Sequence, residues 1–250
     1  TSSTGKPSVL GSLSLSSAYS APNLDIECAS FSASANLTCK NLSVTGATTA
    51  TGTVTLETSG ATGISLGADS SFENITFSSG TKVTTSSNIN VTGSWTNNGS
   101  FTANAGAVSF TSTSNPEPTV NFSGSGTNTF YDLVLQRNIY VQSSNTINHD
   151  LIAIKQRQGN FGNISFYTGT TQTVAGQVNF KGIGSGSGQR QQAACETAGS
   201  TWNLECTGPN NHVFEFVNLS GCNNISGYPI VLKNSRDTGS NINFTFPGLN

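Results

Sequence analysis

Along residues 91–110, VTGSWTNNGSFTANAGAVSF, a large apolar residue recurs every few positions, and almost everything between is Thr, Ser, Asn, Gly or Ala. The texture continues through TVNFSGSGTNTFYDLVL (119–135), GNFGNISFYTGTTQTVAGQVNF (159–180), VFEFVNLSG (213–221) and NINFTFPG (241–248). Short alternating runs rich in Val, Ile, Phe and Thr, punctuated by Gly and Asn, are strand and turn signals. No apolar stripe at helical spacing extends beyond about two turns, so the pattern predicts an all-β chain.

The strands carry a longer beat. NLSVTGATTATGTVTL (41–56) laid over NINVTGSWTNNGSFTA (88–103) aligns Asn41 with Asn88, Val44 with Val91, Gly46 with Gly93 and Gly52 with Gly99 without a gap, a shift of 47 residues. Half of that shift, about 23 residues, is the length of one solenoid coil. The expectation is a right-handed β-helix (β-solenoid) in which inward side chains stack from coil to coil at ~4.8 Å. In the first stretch quoted, Val91, Trp95, Phe101, Val108 and Phe110 are the inward anchors and Asn97-Asn98-Gly99 turns a corner. Asn side chains at such corners can bond from one coil to the next, which gives the many Asn a structural role. A β-sandwich, which also accepts short strands at regular spacing, is the alternative.

VTGSWTNNGSFTANAGAVSF followed by VNFSGSGTNTFYDLVL resembles the degenerate repeats of large bacterial and archaeal cell-surface proteins with a filamentous-haemagglutinin-like or pectin-lyase-like β-helix. The resemblance covers about residues 36–183, and 212–250 more weakly. It implies an exported, surface-associated adhesive or structural role and carries no catalytic residue.

Two segments leave the pattern. Residues 184–211 open with the run GSGSG, read as a hinge, and continue into a Cys-bounded stretch containing Trp202, read as a decorated loop. Residues 1–22 form an arm whose Val9, Leu10, Leu13 and Leu15 approximate a strand. That arm is expected either to add a strand to a neighbouring subunit or to fold back as a cap. The division is thus 1–22 arm, 23–183 solenoid, 184–211 insertion and 212–250 C-terminal coils.

Composition narrows the function. Charged residues are only 9% of the chain and the net charge is -2, while Ser and Thr together are roughly 28%. Such a neutral, hydroxyl-rich chain offers no basic patch for nucleic acid, and no apolar stretch approaches the ~20 residues of a membrane span. A chain that begins at Thr1 and contains no Met is what an exported protein with its leader removed would show, so the expected location is extracellular or at the cell surface. Five cysteines fit that compartment. Local spacing favours disulfides Cys28–Cys39 and Cys195–Cys206, with Cys206–Cys222 as the competing pair; Cys222 is then unpaired or a link between subunits. Ten sequons mark candidate glycan acceptors at Asn36, Asn41, Asn74, Asn90, Asn98, Asn121, Asn163, Asn218, Asn224 and Asn243, close to the number chance alone would give.

Candidate chemistry is sparse. Asp25 and Glu27 share a strand face, and Asp132 and Asp150 fall on neighbouring coils near Arg137 or His149. With 12 carboxylates in all, isolated surface charges account for these better than paired general acid/base groups do. No metal or cofactor set and no nucleophile motif is present, and the chain is expected not to be an enzyme. The favoured expectation is a structural subunit that assembles head to tail with other copies of itself into a filament, sheath or layer. The alternative is a secreted protein that binds or cleaves surface glycans, for which exposed aromatics with acidic neighbours should line one coil face.

Overall fold

The computed structural model describes residues 8–33, 37–44, 48–56, 63–66, 69–112, 114 and 117–247, with side chains described within 12–20, 30–32, 54 and from 69 onward. These residues form strands, turns and bends and no helix, and their strand pairs run parallel. The chain divides into two compact units, residues 1–108 with 124–129, and residues 109–123 with 130–250.

In the first unit, Ser8–Leu15 pairs with Tyr19–Ala33 of its own chain, Val9 opposite Cys28, Leu13 opposite Phe31 and Leu15 opposite Ala33. Residues 8–15 of the arm therefore pair with their own chain. Long strands such as Thr48–Leu56 and Ser70–Phe77 pair with a register shift between Ala50 and Thr53, where the strand bends and changes its partner position. Two layers carry Val44 through Leu66 to Thr85, whereas Val91 continues the column of Ala50 and Phe72. The 47-residue echo in the sequence is thus not the structural period, because layers differ in length and slip relative to any fixed repeat. The inward anchors Val91, Trp95, Phe101 and Val108 are fully buried, as is Phe110 in the second unit. Trp95 meets Phe77 and Phe101 edge-on at 5.0 and 4.8 Å, and burying rings of this size stabilises by about 1.5–3 kcal/mol each.

The second unit is more regular, and its strands from Asp132–Leu135 through Trp202–Cys206 each pair with the third strand after them. Val120–Ser123 pairs with Ile139–Val141, which pairs with Ile164–Phe166, which pairs with Gln191–Cys195, which pairs with Val217–Ser220. Three faces result, each with inward columns. Phe122, Val141, Phe166 and Cys195 form one; Ile147, Val174 and Cys206 another; Ala153, Phe180 and Phe214 a third. Alternate residues of these strands are buried, the period of two expected of a strand with one face inward.

Polar side chains stitch the layers. Inside the first unit, the Asn97 amide donates to Asn128 Oδ1 at 2.9 Å and Trp95 Nε1 donates to the same oxygen at 3.3 Å. Inside the second, Asn145 donates to Gln172 Oε1 at 2.8 Å. At the corners, Asn74, Asn88, Asn98 and Asn138 each accept, through the side-chain oxygen, a backbone N–H one layer on, from Ser94, Ala107, Ser125 and Asn163. These bonds satisfy backbone donors that turns would otherwise leave unpaired. Gly124 turns one such corner with φ +113, and a Cβ there would lie 2.0 Å from the Asn97 carbonyl oxygen.

Several expectations are corrected. Residues 184–211 are not a decorated loop: Gln191–Cys195 and Trp202–Cys206 are regular strands of the stack, and Trp202 is fully buried with its ring 3.9 Å from Phe166. The GSGSG run is closed rather than loose, since Gln189 accepts Ile183 N–H on its carbonyl and Gly186 N–H on its side chain. No disulfide joins Cys195 to Cys206, and Cys222 is likewise a free buried thiol. The reason is geometric: Cys195 and Cys206 fill inward columns of two different faces, acting as small apolar plugs. The side chains of Cys28 and Cys39 lie outside the described residues; along the backbone, Cys39 stands opposite Ala21 and Leu56, and Cys28 opposite Val9 and Val44.

Candidate functional site

Two outward surfaces of the second unit gather chemistry. The first is the corner before Leu133 and Leu151, which are register partners on neighbouring layers. His149 Nδ1 donates to Asp132 Oδ1 at 2.7 Å and lies 3.8 Å from Asp150 Oδ2, and its ring stacks on Tyr131 at 4.8 Å. The hydrogen bond to Asp132 raises the proton affinity of His149 above its ordinary value; partial burial opposes this, and the charges of Asp150 and Asp132 add to it. The same carboxylates serve the corner, because Asp132 Oδ1 accepts Asp150 N–H at 2.9 Å and Asp150 Oδ1 accepts Gln177 N–H at 2.7 Å. Asp132, His149 and Asp150 have donor atoms within 4.8 Å of one another, the group among the described residues with the spacing to hold a metal ion. Arg137 does not join them; it is buried and donates to the carbonyls of Thr111 and Pro118. The side chains of Asp25 and Glu27 lie outside the described residues.

The second surface is the outward side of Val120–Ser123, Ile139–Val141 and Ile164–Phe166. Asn121, Tyr140 and Ser165 stand side by side on successive layers. Tyr167, just past Ile164–Phe166, is 37% exposed and Tyr140 40%, and their rings meet edge to face at 6.3 Å. The Gln142 amide donates to Asn121 Oδ1 at 3.2 Å and to the Tyr167 hydroxyl at 3.0 Å. Beyond Tyr167, Glu196 Oε2 accepts Thr168 N–H at 3.0 Å and Thr197 N–H at 2.9 Å, while Oε1 accepts the Thr197 hydroxyl. Burial pushes the Glu196 pKa up, but the hydrogen bonds from Thr197, Cys195 and Thr168 outweigh it and hold the group below the usual range.

Cys206 and Cys222 are poor nucleophiles where they stand. Burial pushes Cys206 up to about 11 and raises Cys222 well above the ordinary thiol value. Cys195 borders a shallow cleft of about 110 Å³ with Ser200, Gly221 and Ser240.

Sequon positions divide by exposure. Asn224 is fully buried with its amide bonded to the carbonyls of Tyr228 and Asn243, so the folded chain cannot present it for glycosylation. Asn98, Asn121 and Asn243 are exposed, Asn74, Asn90, Asn163 and Asn218 are half-buried, and the side chains of Asn36 and Asn41 lie outside the described residues. Val9 and Leu10 of the arm are described in backbone only, and Leu13 and Leu15 are half-buried against their own unit.

Tyr140, Tyr167 and Gln142 were not singled out from the sequence. Their signal was present as outward aromatics in IYV and ISFY, where the alternation otherwise places small polar residues. No protein-family model, curated protein or solved structure matches this chain. Among the described residues no helix is long and apolar enough to cross a membrane.

Proposed function

We propose that this chain is a right-handed β-helix serving as an extracellular, non-catalytic structural subunit that assembles head to tail with copies of itself, in the manner of the cell-surface repeats it resembles. The observation that carries this reading is a group of exposed apolar side chains beside short parallel strands. In the second unit the strands shorten to two residues at Ile230–Val231 and Phe244–Thr245, leaving Ile225, Val231 and Ile242 45%, 52% and 48% exposed. Apolar side chains exposed beside short strands favour joining another copy.

The test is sedimentation velocity with negative-stain microscopy over a wide concentration range, on the full chain and on Val231→Asp/Ile242→Asp. The expected outcome is concentration-dependent fibres or sheets that the double replacement abolishes. A monomer at every concentration, unchanged by the replacement, overturns the reading.

Carbohydrate binding at the cell surface is the second reading, favoured by the Tyr140–Tyr167 pair. Cleavage is not favoured, because Asp132 and Asp150 are committed to His149 and to backbone N–H groups of their own corner.

A further inference from the structure

We propose that Tyr140 and Tyr167 form a binding subsite for a neutral oligosaccharide, with Gln142 as the residue that holds and completes it. The inference rests on the carbohydrate-binding reading and gives it a place and a ligand class.

The two rings belong to adjacent layers, meet edge to face at 82° and both remain exposed to solvent. Layers repeat at ~4.8 Å, close to the advance of one sugar ring along an extended glycan. A pyranose presents apolar C–H groups on its faces and hydroxyls around its rim. The ring faces suit the first and the surrounding amides and hydroxyls the second. Tyrosine adds large contact area at little entropic cost, having only two side-chain torsions. Gln142 reduces that cost further, because one amide group fixes both Asn121 and the Tyr167 hydroxyl before any ligand arrives.

The charge pattern selects among ligands. Outward positions on these layers are Asn121, Ser123, Tyr140, Gln142, Ser165, Gln192 and Ala194, with Glu196 as the bordering charge. Glu196 is ionised and no cation accompanies it on these strands, so an anionic polysaccharide meets repulsion and a neutral one does not. A protein partner is disfavoured for another reason. Stable protein interfaces bury about 800 Å² per partner around an apolar centre, and polar side chains flank this ring pair on its own layers.

The experiment uses the full chain and hexasaccharides of β-1,4-glucose, β-1,4-N-acetylglucosamine and α-mannose, with hexagalacturonate as the anionic counterpart. Saturation-transfer NMR and amide titrations read binding, and amide spectra verify the fold of each variant. At least one neutral hexasaccharide is expected to bind with a Kd of about 1 mM or tighter. Tyr140→Ala and Tyr167→Ala are each expected to weaken it about tenfold, while Tyr140→Phe, which keeps the ring, changes it less than about threefold. Tyr19→Ala, at another exposed tyrosine, should leave it unchanged. If no neutral hexasaccharide binds, both the site and the carbohydrate-binding reading fall. If one binds and neither Tyr140→Ala nor Tyr167→Ala weakens it, the site alone falls. Tighter binding of hexagalacturonate also overturns the proposal.

Discussion

His149 and His212 are the two histidines of the chain, and their surroundings pull their proton affinities in opposite directions. His149 gains a carboxylate partner in Asp132, which favours the charged ring. His212 is disfavoured as a cation by burial, and its Nδ1 accepts Val178 N–H at 3.1 Å, which requires that nitrogen to be unprotonated and assigns the proton to Nε2, donating to the Tyr228 hydroxyl. The signs follow from linkage. The stabilisation from His149 is complete below its unfolded value near 6.5 and is lost as pH rises through its higher folded value. That from His212 is present above 6.5 and is lost as pH falls through its lower folded value. An NMR titration should therefore find His149 titrating above His212, and Asp132→Asn should lower the His149 midpoint while leaving His212 in place. A reversed order would contradict the assigned contacts.

Strands that look like loops in the sequence carry measurable stability. Gln191–Cys195 and Trp202–Cys206 alternate inward and outward positions, with Trp202 stacked on Phe166 beneath Cys222 as its register partner. Trp202→Ala is expected to destabilise by about 3–5 kcal/mol in urea unfolding, because it empties a closed interior site. An exposed loop tryptophan would cost less than about 0.5 kcal/mol. The same strands explain the cysteines. Alkylation of the native protein should spare Cys206 and Cys222, and alkylation after unfolding without reductant should label Cys195, Cys206 and Cys222. A disulfide among them would leave a protected pair and refute the free-thiol arrangement.

Across the molecule, protection from hydrogen exchange should follow how completely each layer is covered. In the second unit the strands from Leu151–Ile154 through Trp202–Cys206 pair on both sides and enclose fully buried side chains, whereas 226–247 holds two-residue strands and mostly exposed positions. Peptides from the former are expected to exchange slowest and those from 226–247 fastest; a uniform profile would contradict this account. The period-two alternation, the lack of helical stripes and the anchors Val91, Trp95, Phe101, Val108 and Phe110 were legible in the sequence, because burial of a strand face imposes its period on the chain directly. Layer length was not, since corners of different sizes change the spacing without changing the inward pattern, and so the 47-residue echo misled while Trp202 passed for a loop residue. Which outward side chains meet was decided by tertiary structure alone. Asp132 reaches His149, and Tyr140 reaches Tyr167, through the registers of stacked layers, which bring side chains together across stretches of chain whose local sequence carries no record of the pairing.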